Sequence, residues 1–324
     1  MKSAILCLGI IISSALFAQV SEKYDLFVKQ ADSLYNAKNY SASAQKYTDA
    51  FWSNDGKAVP SHRYNAACSW ALANVKDSAF YHLFRLAESI SKYNNYQHIS
   101  TDADLKSLYT DSRWEELLII VKRNKDEFEK DFDKPLVAIL DSIHDEDQKY
   151  RIQIDEVEEK YGRESEEMRN HWKKIQQVDS INLIIVSKIL DERGWLGSKV
   201  VGNKGNSTLF LVVQHADSAT QVKYLPMMRE AVKEGRAYAS SLALLEDRLA
   251  LRQGKKQIYG SQIGFDKETE KYIVQDLEDP DNVDKRRAEV GLPPLADYVK
   301  NWNIVWNVAE YKKNGKKNFF NSKE

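Results

Sequence analysis

Between Pro135 and Ile189, apolar or inward-placed positions recur in alternating steps of four and three. The first series is Leu136, Leu140, Ile143, Asp147, Tyr150, Ile154, Val157 and Tyr161, and the second is Met168, Trp172, Ile175, Asp179, Asn182, Val186 and Ile189. That period is the signature of a helix with one packed seam. Two long helices joined at Gly162-Arg163 and packed antiparallel are therefore predicted. Shorter stretches of the same period precede them: Ala31, Leu34, Tyr40, Ser43, Tyr47 and Ala50, then Tyr64, Ala67, Cys68, Ala71 and Leu72 against Ala79, Leu83, Leu86 and Ala87. These read as successive helical hairpins.

After the long pair the elements shorten. Gly194-Trp195 ends the second long helix, residues 202–206 read as a turn, and Asn206 is placed to cap a helix over 207–216. Asp217 or Ser218 can cap the next helix, 219–233, which Gly235 stops. Another spans about 239–253, with Leu242, Leu245 and Leu249 inward. Residues 257–263 and 271–276 read as a two-stranded ribbon, and 281–290 returns to helix. The fold class expected is mainly α: helical hairpins first, then a helical domain on the long pair with one small β ribbon.

The upstream hairpins have about the 34-residue length of a tetratricopeptide repeat, and with Asp104-Leu105, Leu108 and Asp111-Ser112-Arg113-Trp114 they resemble degenerate modules of that kind. The resemblance implies a module that engages a protein or peptide partner. Each repeat buries only part of its apolar face, so a capping helix is needed, and 113–125 is placed to supply it. Cys68 sits at a small-residue position and reads as core filler. The charge-dense stretch 124–134, followed by Pro135, marks the boundary, which gives repeats over 19–125, a second domain over 131–300 and an amphipathic, basic tail over 301–324.

The first residues alter the compartment expected. Lys2, an apolar run from Ala4 to Ile12 and the small residue Ala18 before Gln19 make residues 1–18 a cleavable secretory signal, so the mature chain is expected in the periplasm or outside the cell. The run is too short for a bilayer span of about 20 residues. A lipid anchor would need a cysteine after a small residue, whereas Cys7 follows Leu6. Losing that segment leaves Cys68 alone and therefore no internal disulfide. A formal net charge of −1 lacks the basic excess a nucleic-acid partner demands, and no later stretch is apolar enough for a transmembrane anchor.

The chemistry to be explained lies downstream. Taking the turn near Arg163 as midpoint, Asp147 lies 16 residues before it and Asp179 lies 16 after, so the two carboxylates should face each other across the seam. Unpaired buried charge is costly. Arg151, one turn from Asp147, is a candidate partner, and Asn182 can join from Asp179's side. Gln214 and His215 close an apolar run, where a histidine is ordinarily a hydrogen-bonded core residue. A carboxylate from Asp147, Asp179 or Asp247 would instead orient it for proton transfer. Asp247-Arg248 is mid-helix, and Arg248 bridging Asp147 and Asp179 would account for all three. Gln257 and Tyr259 would share one ribbon face and, with Gln262, suit hydrogen-bonded recognition of a polar ligand. Arg286 can hold an anion. One His with two Asp is a hard-ligand set for a divalent ion, but no His or Cys pair stands at zinc spacing, and no metal or cofactor is assigned.

Taken together these motifs resemble one bacterial family, the domain of unknown function 6624, over about Asp131 to Tyr298. The residues that carry it are Asp147-Gln148 with Arg151, Asp179 with Asn182, Gly194-Trp195, Val201-Gly202, Gln214-His215-Ala216-Asp217, Leu245 with Asp247-Arg248, Gly254, Gln257 with Tyr259-Gly260-Ser261-Gln262, and Arg286-Arg287 with Val290-Gly291-Leu292. Ser261 stands where the family usually has Thr, and Leu196 where Pro is common. The family carries no established activity. Ligand binding and hydrolysis by the acidic pair with His215 both stay open.

Overall fold

The computed structural model describes residues 22–90 and 92–313, which divide along the chain between Lys130 and Asp131 into two compact units. The expected signal, residues 1–18, and the end of the basic tail from residue 314 lie outside the described residues. The architecture is mainly α with one two-stranded antiparallel sheet. Among the described residues, no helix is long and apolar enough to cross a membrane.

The first unit runs through α1 (22–36), α2 (Tyr40–Trp52), α3 (Pro60–Leu72), α4 (Lys76–Glu88), the short α5 (Tyr96–Thr101), a 3-10 turn (Ala103–Leu108) and α6 (Ser112–Phe128). Small residues set the spacing: Ala31, Ala44, Ala50, Ala66, Ala67, Ala71 and Ala79 are buried where helices meet. Without long side chains between them the backbones close up, and Tyr47, Phe80, Leu83 and Leu105 fill what is left. The last helix starts where Asp111 accepts from the Arg113 N–H at 3.1 Å. It is tied down by Asn124, whose Nδ2 donates to Ala87 O at 2.7 Å and Tyr93 O at 3.0 Å. Burial pushes the Cys68 thiol well above its ordinary range, and the nearby Asp102 and Asp104 charges add to that.

The second unit starts at α7 (Lys134–Arg151), with Pro135 in its first turn and Asp133 accepting from Leu136 N at 3.2 Å. The predicted first long helix is interrupted. It breaks after Arg151 and resumes as α8 (Ile154–Tyr161), which has no buried residue. The cause lies in the partner helix α9 (Glu166–Arg193): His171 Nε2 meets Tyr150 O at 2.7 Å, and Gln153 N takes the same carbonyl at 3.2 Å, in place of a regular helical bond. His171 is thus inward and Trp172, expected there, is 44% exposed. Gly162, at φ 88°, turns the chain between α8 and α9.

The expected break at Gly202 is present, but the turn does not extend to 206 and Asn206 is not a cap: in α10 (Ser198–His215) two helical stretches meet across Gly202, at φ 70° and ψ 171°, a conformation open to glycine only. Asn206 lies inside α10, and its Nδ2 donates to Leu196 O and Arg236 O, both at 2.7 Å. One residue earlier Gly205 lets α10 close on α7: a Cβ there would come within 3.2 Å of Leu140 Cδ1. The helices α11 (Ser218–Lys233), capped by Asp217 onto Thr220 N at 2.7 Å, and α12 (Ala239–Arg252) complete the bundle. Its core is built from Leu140, Val186, Leu190, Trp195, Val213, Met228 and Leu245.

The strands β1 (Ile263–Asp266) and β2 (Lys271–Val274) pair in the register Ile263 with Val274 and Asp266 with Lys271. Residues 257–262, expected in the ribbon, form an irregular loop instead. The helices α13 (Val283–Glu289), α14 (Leu295–Tyr298) and α15 (Val308–Lys313) follow. The described part of the tail docks on this end of its own unit: Ile304, Trp306 and Tyr311 pack on Val274, Leu277 and Val299, and Tyr311 Oη accepts from Leu277 N at 2.7 Å.

Candidate functional site

The break after Arg151 places its side chain across the seam. Arg151 Nη2 donates to both carboxylate oxygens of Asp179 at 2.8 Å, while Nη1 reaches Asp147 O at 2.8 Å and stands 3.3 Å from Asp147 Oδ1. The bridge expected of Arg248 is made by Arg151, since only a group one turn from Asp147 can reach its main chain and the opposite carboxylate together. From the end of α10, His215 Nδ1 lies 3.0 Å from Asp147 Oδ1. Gln148 Nε2 donates to Asp147 Oδ2 at 2.7 Å, a role that sequence reading missed. Its glutamine sits in the same motif, but an amide next in sequence to an inward acid carries no periodic signal.

Asp147 is 1% exposed, while the side chains of Arg151, Asp179 and His215 keep 17%, 20% and 17%. The network is therefore open on one side. Burial works against ionisation of Asp147, but the His215 bond and charge, the Arg151 charge and the Gln148 bond outweigh it and hold the carboxyl below its ordinary range. An ionised Asp147 can only accept, so His215 donates its Nδ1–H to Asp147 Oδ1. That tautomer leaves the Nε2 lone pair facing away from the carboxylate, ready to accept a proton.

Asp147, Asp179 and His215 offer donor atoms within 4.8 Å of one another, which a divalent ion could use. Arg151 already pairs with both carboxylates and offsets one of their two charges, and Arg248 brings further positive charge close by. The electrostatics therefore disfavour a cation.

Arg248 has no counter-ion among the described residues. It is partly buried on α12, its Nε is shut off from solvent with no hydrogen-bond partner, and no carboxylate pairs with it among the described residues. Burial, together with the charges of Arg252 and Arg151, pushes its guanidinium down to about 10. Asn182, inward on α9, likewise has a buried Nδ2 with no partner. Both orphaned groups are donors.

The remaining candidates mostly bind the backbone, although Gln214 Oε1 and Arg287 Nη2 are also buried without a partner. Asp247 accepts from Ile258 N at 2.6 Å, Tyr259 N at 3.0 Å and Ser261 N at 3.0 Å, fastening the 257–262 loop to α12. Burial pushes its carboxyl up, and those three amides offset part of the rise. Gln257, fully buried, donates to Gln262 O at 3.0 Å and Gln275 O at 2.9 Å and accepts from Gln262 N at 2.8 Å. It does not share a ribbon face with Tyr259, whose backbone N–H is held by Asp247. Arg286 clamps three carbonyls, Ile258 O at 3.0 Å, Glu278 O at 2.7 Å and Asp279 O at 3.0 Å. Arg287, fully buried, holds Pro293 O and Tyr259 O, both at 2.6 Å. The Nε2 atoms of Gln214 and Gln262 both approach Leu244 O, at 3.5 and 3.4 Å, one turn before Arg248.

No curated protein and no solved structure matches the chain. A family model matches residues 131–308, more than half of the sequence and ten residues beyond Tyr298, so the docked tail is part of the same unit. The chain belongs to the family of unknown function DUF6624.

Proposed function

We propose that this is an exported binding protein in two parts: amino-terminal hairpins of the tetratricopeptide kind that engage a protein or peptide partner, and a carboxy-terminal domain that takes a small anionic ligand at Arg248. One observation carries the ligand reading. In a site where Arg151, Asp147, Asp179 and His215 satisfy one another, the Arg248 guanidinium has neither a counter-ion nor a partner for Nε. Desolvating a cation without compensation costs several kcal/mol and is kept when something else supplies the anion.

The test is a thermal-shift titration of the whole chain with inorganic phosphate and with succinate, repeated on Arg248→Met. A ligand at 100 times its Kd should stabilise by about 2.7 kcal/mol. Arg248→Met should abolish the shift and leave the free protein at least as stable as the wild type. If the substitution destabilises the protein by more than about 2 kcal/mol, as removing one member of a buried pair does, and neither anion shifts the melting point, Arg248 is structural.

The Asp147–His215 pair favours a second reading, hydrolysis of that ligand. His215 Nε2 would take a proton from water as the oxygen attacks an acyl or phosphoryl centre of a ligand ester, Asp147 would stabilise the imidazolium, and the same proton would go to the leaving alcohol as its bond to that centre breaks. His215→Gln should then abolish turnover while leaving the anion-induced shift intact.

A further inference from the structure

The first unit holds a second set of uncompensated donors. A cavity of about 430 Å³ opens where the end of α2 meets α3 and α4. Arg63, on α3, is 8% exposed, with Nη2 on Gly56 O at 3.0 Å and Nη1 3.5 Å from His82 Nδ1. Arg85, one turn after His82 on α4, is exposed and donates Nη1 to Tyr81 Oη at 3.0 Å. Neither guanidinium pairs with a carboxylate among the described residues. The acid in the lining, Asp77, is held by Arg113 at 2.8 Å. Trp70 adds an indole N–H that is buried with no hydrogen-bond partner.

Two cations and an orphaned N–H around one cavity leave an acceptor to be supplied from outside. His82 does not supply a charge. Burial, then the charges of Arg63 and Arg85, hold its imidazole down at about 4, so it is neutral and turns Nδ1 toward Arg63 as an acceptor. The wall is aromatic: Phe51 lies 5.1 Å below the Arg63 guanidinium, and Trp52 is 73% exposed at the rim.

We infer that this cavity binds a carboxylate carried on an apolar group, with the oxyanion between Arg63 and Arg85 and the apolar part along the Trp52 wall. The guanidinium fork suits two carboxylate oxygens, and a tryptophan face gives the rest of the ligand a surface to desolvate. This site is independent of the one at Arg248 and lies in the other unit.

The test uses the full-length chain carrying Arg248→Met, so that the carboxy-terminal site cannot answer, with phenylacetate as probe and acetate as its truncated control. His82 is followed by histidine-selective carbon-13 labelling and assigned by its loss in His82→Asn. Phenylacetate should move the His82 resonance saturably at pH 7 and raise its pKa from about 4, because an anion beside Arg63 cancels the charge that holds it down. Acetate should bind more than roughly tenfold more weakly, the worth of the buried ring. Arg63 is buried, and replacing it can unfold the unit, so the decisive variant is the exposed Arg85→Gln. It should weaken phenylacetate roughly tenfold with the melting point unchanged. No saturable shift at roughly 10 mM, where even a 1 mM Kd would show, overturns the site. So does an Arg85→Gln chain that binds as well as its parent, and equal binding of acetate and phenylacetate overturns the aromatic wall.

Discussion

Arg151→Met removes the positive charge from between Asp147 and Asp179 and keeps most of the side-chain volume. Three bonds of 2.8 Å are lost, two to Asp179 and one to Asp147 O. Carboxylate oxygens of Asp147 and Asp179 that lie within 4.8 Å of each other are left to repel. At an effective dielectric constant of about 20 that repulsion is about 3 kcal/mol, which agrees with the ~3–5 kcal/mol for removing one member of a buried pair. His215 and Gln148 still hold Asp147, so the lower figure is expected. For a unit of this size about 3 kcal/mol is a fall in Tm of roughly 6–12 °C, read by calorimetry on the full chain.

The pH dependence gives the sharper check. In the wild type Asp147 titrates below its unfolded value, so its contribution is present above about pH 4 and fades as pH falls through the native pKa. In the variant the same carboxyl, facing a like charge, titrates above that value; the penalty is full at neutral pH and disappears once it is protonated. The gap between the two proteins should therefore shrink steadily from pH 7 toward pH 4. Adding Asp179→Asn to Arg151→Met should recover most of the ~3 kcal/mol, because the repulsion has gone. A cost below about 1 kcal/mol, a gap that does not change with pH, or a double variant no better than the single would refute the account of this seam.

Asp247→Ala should cost about 2–4 kcal/mol by orphaning buried amides, and hydrogen exchange should speed up at Ile258, Tyr259 and Ser261 before it does elsewhere in the domain. Gly202→Ala should cost roughly 1–3 kcal/mol, because φ is 70° and the new Cβ would meet the Phe132 ring at 3.2 Å; equal stability by urea titration would argue against the kink. Cys68 should resist a thiol reagent in the native protein at pH 8 and react in denaturant, since burial keeps the thiolate from forming.

How much of this was legible in the sequence depended on the kind of signal. Helix periodicity placed the hairpins and the long pair, and equal distance from the turn was enough to bring Asp147 opposite Asp179 with Arg151 beside them. The break after Arg151 was not readable, because it rests on a bond from His171 on another helix to the Tyr150 carbonyl. Gly202 was legible as a break, but the immediate resumption of helix with Asn206 inside it was not, since nothing in the sequence distinguishes a glycine that kinks a helix from one that opens a longer turn. The spacing of Gln257 and Tyr259 imitated a strand, although what fixes that loop is a carboxylate eleven or more residues upstream. Arg63, His82 and Arg85 went unread because polar residues on the outer faces of helical hairpins are ordinarily solvated.

The polar residues that stood out in the sequence divide by where their hydrogen bonds go. Asp247, Gln257, Arg286 and Arg287 direct theirs at main-chain N–H and C=O groups of 257–262 and its neighbours, a loop with too little regular structure to satisfy its own backbone. Apart from Arg287 Nη2, which is buried without a partner, their bonding is accounted for by architecture. Arg248 and Asn182 each have a buried nitrogen that no protein atom meets, and unlike Arg287 they do not also clamp main-chain carbonyls of that loop. Since the cost of an unmet buried donor falls on the folded state whether or not the protein is at work, the search for function belongs at those donors. The decisive comparison is therefore the free-protein stability of Arg248→Met against Arg286→Met. Loss of a loop clamp should destabilise the chain, while loss of an uncompensated cation should not, and a reversal of that order would return Arg248 to the scaffold.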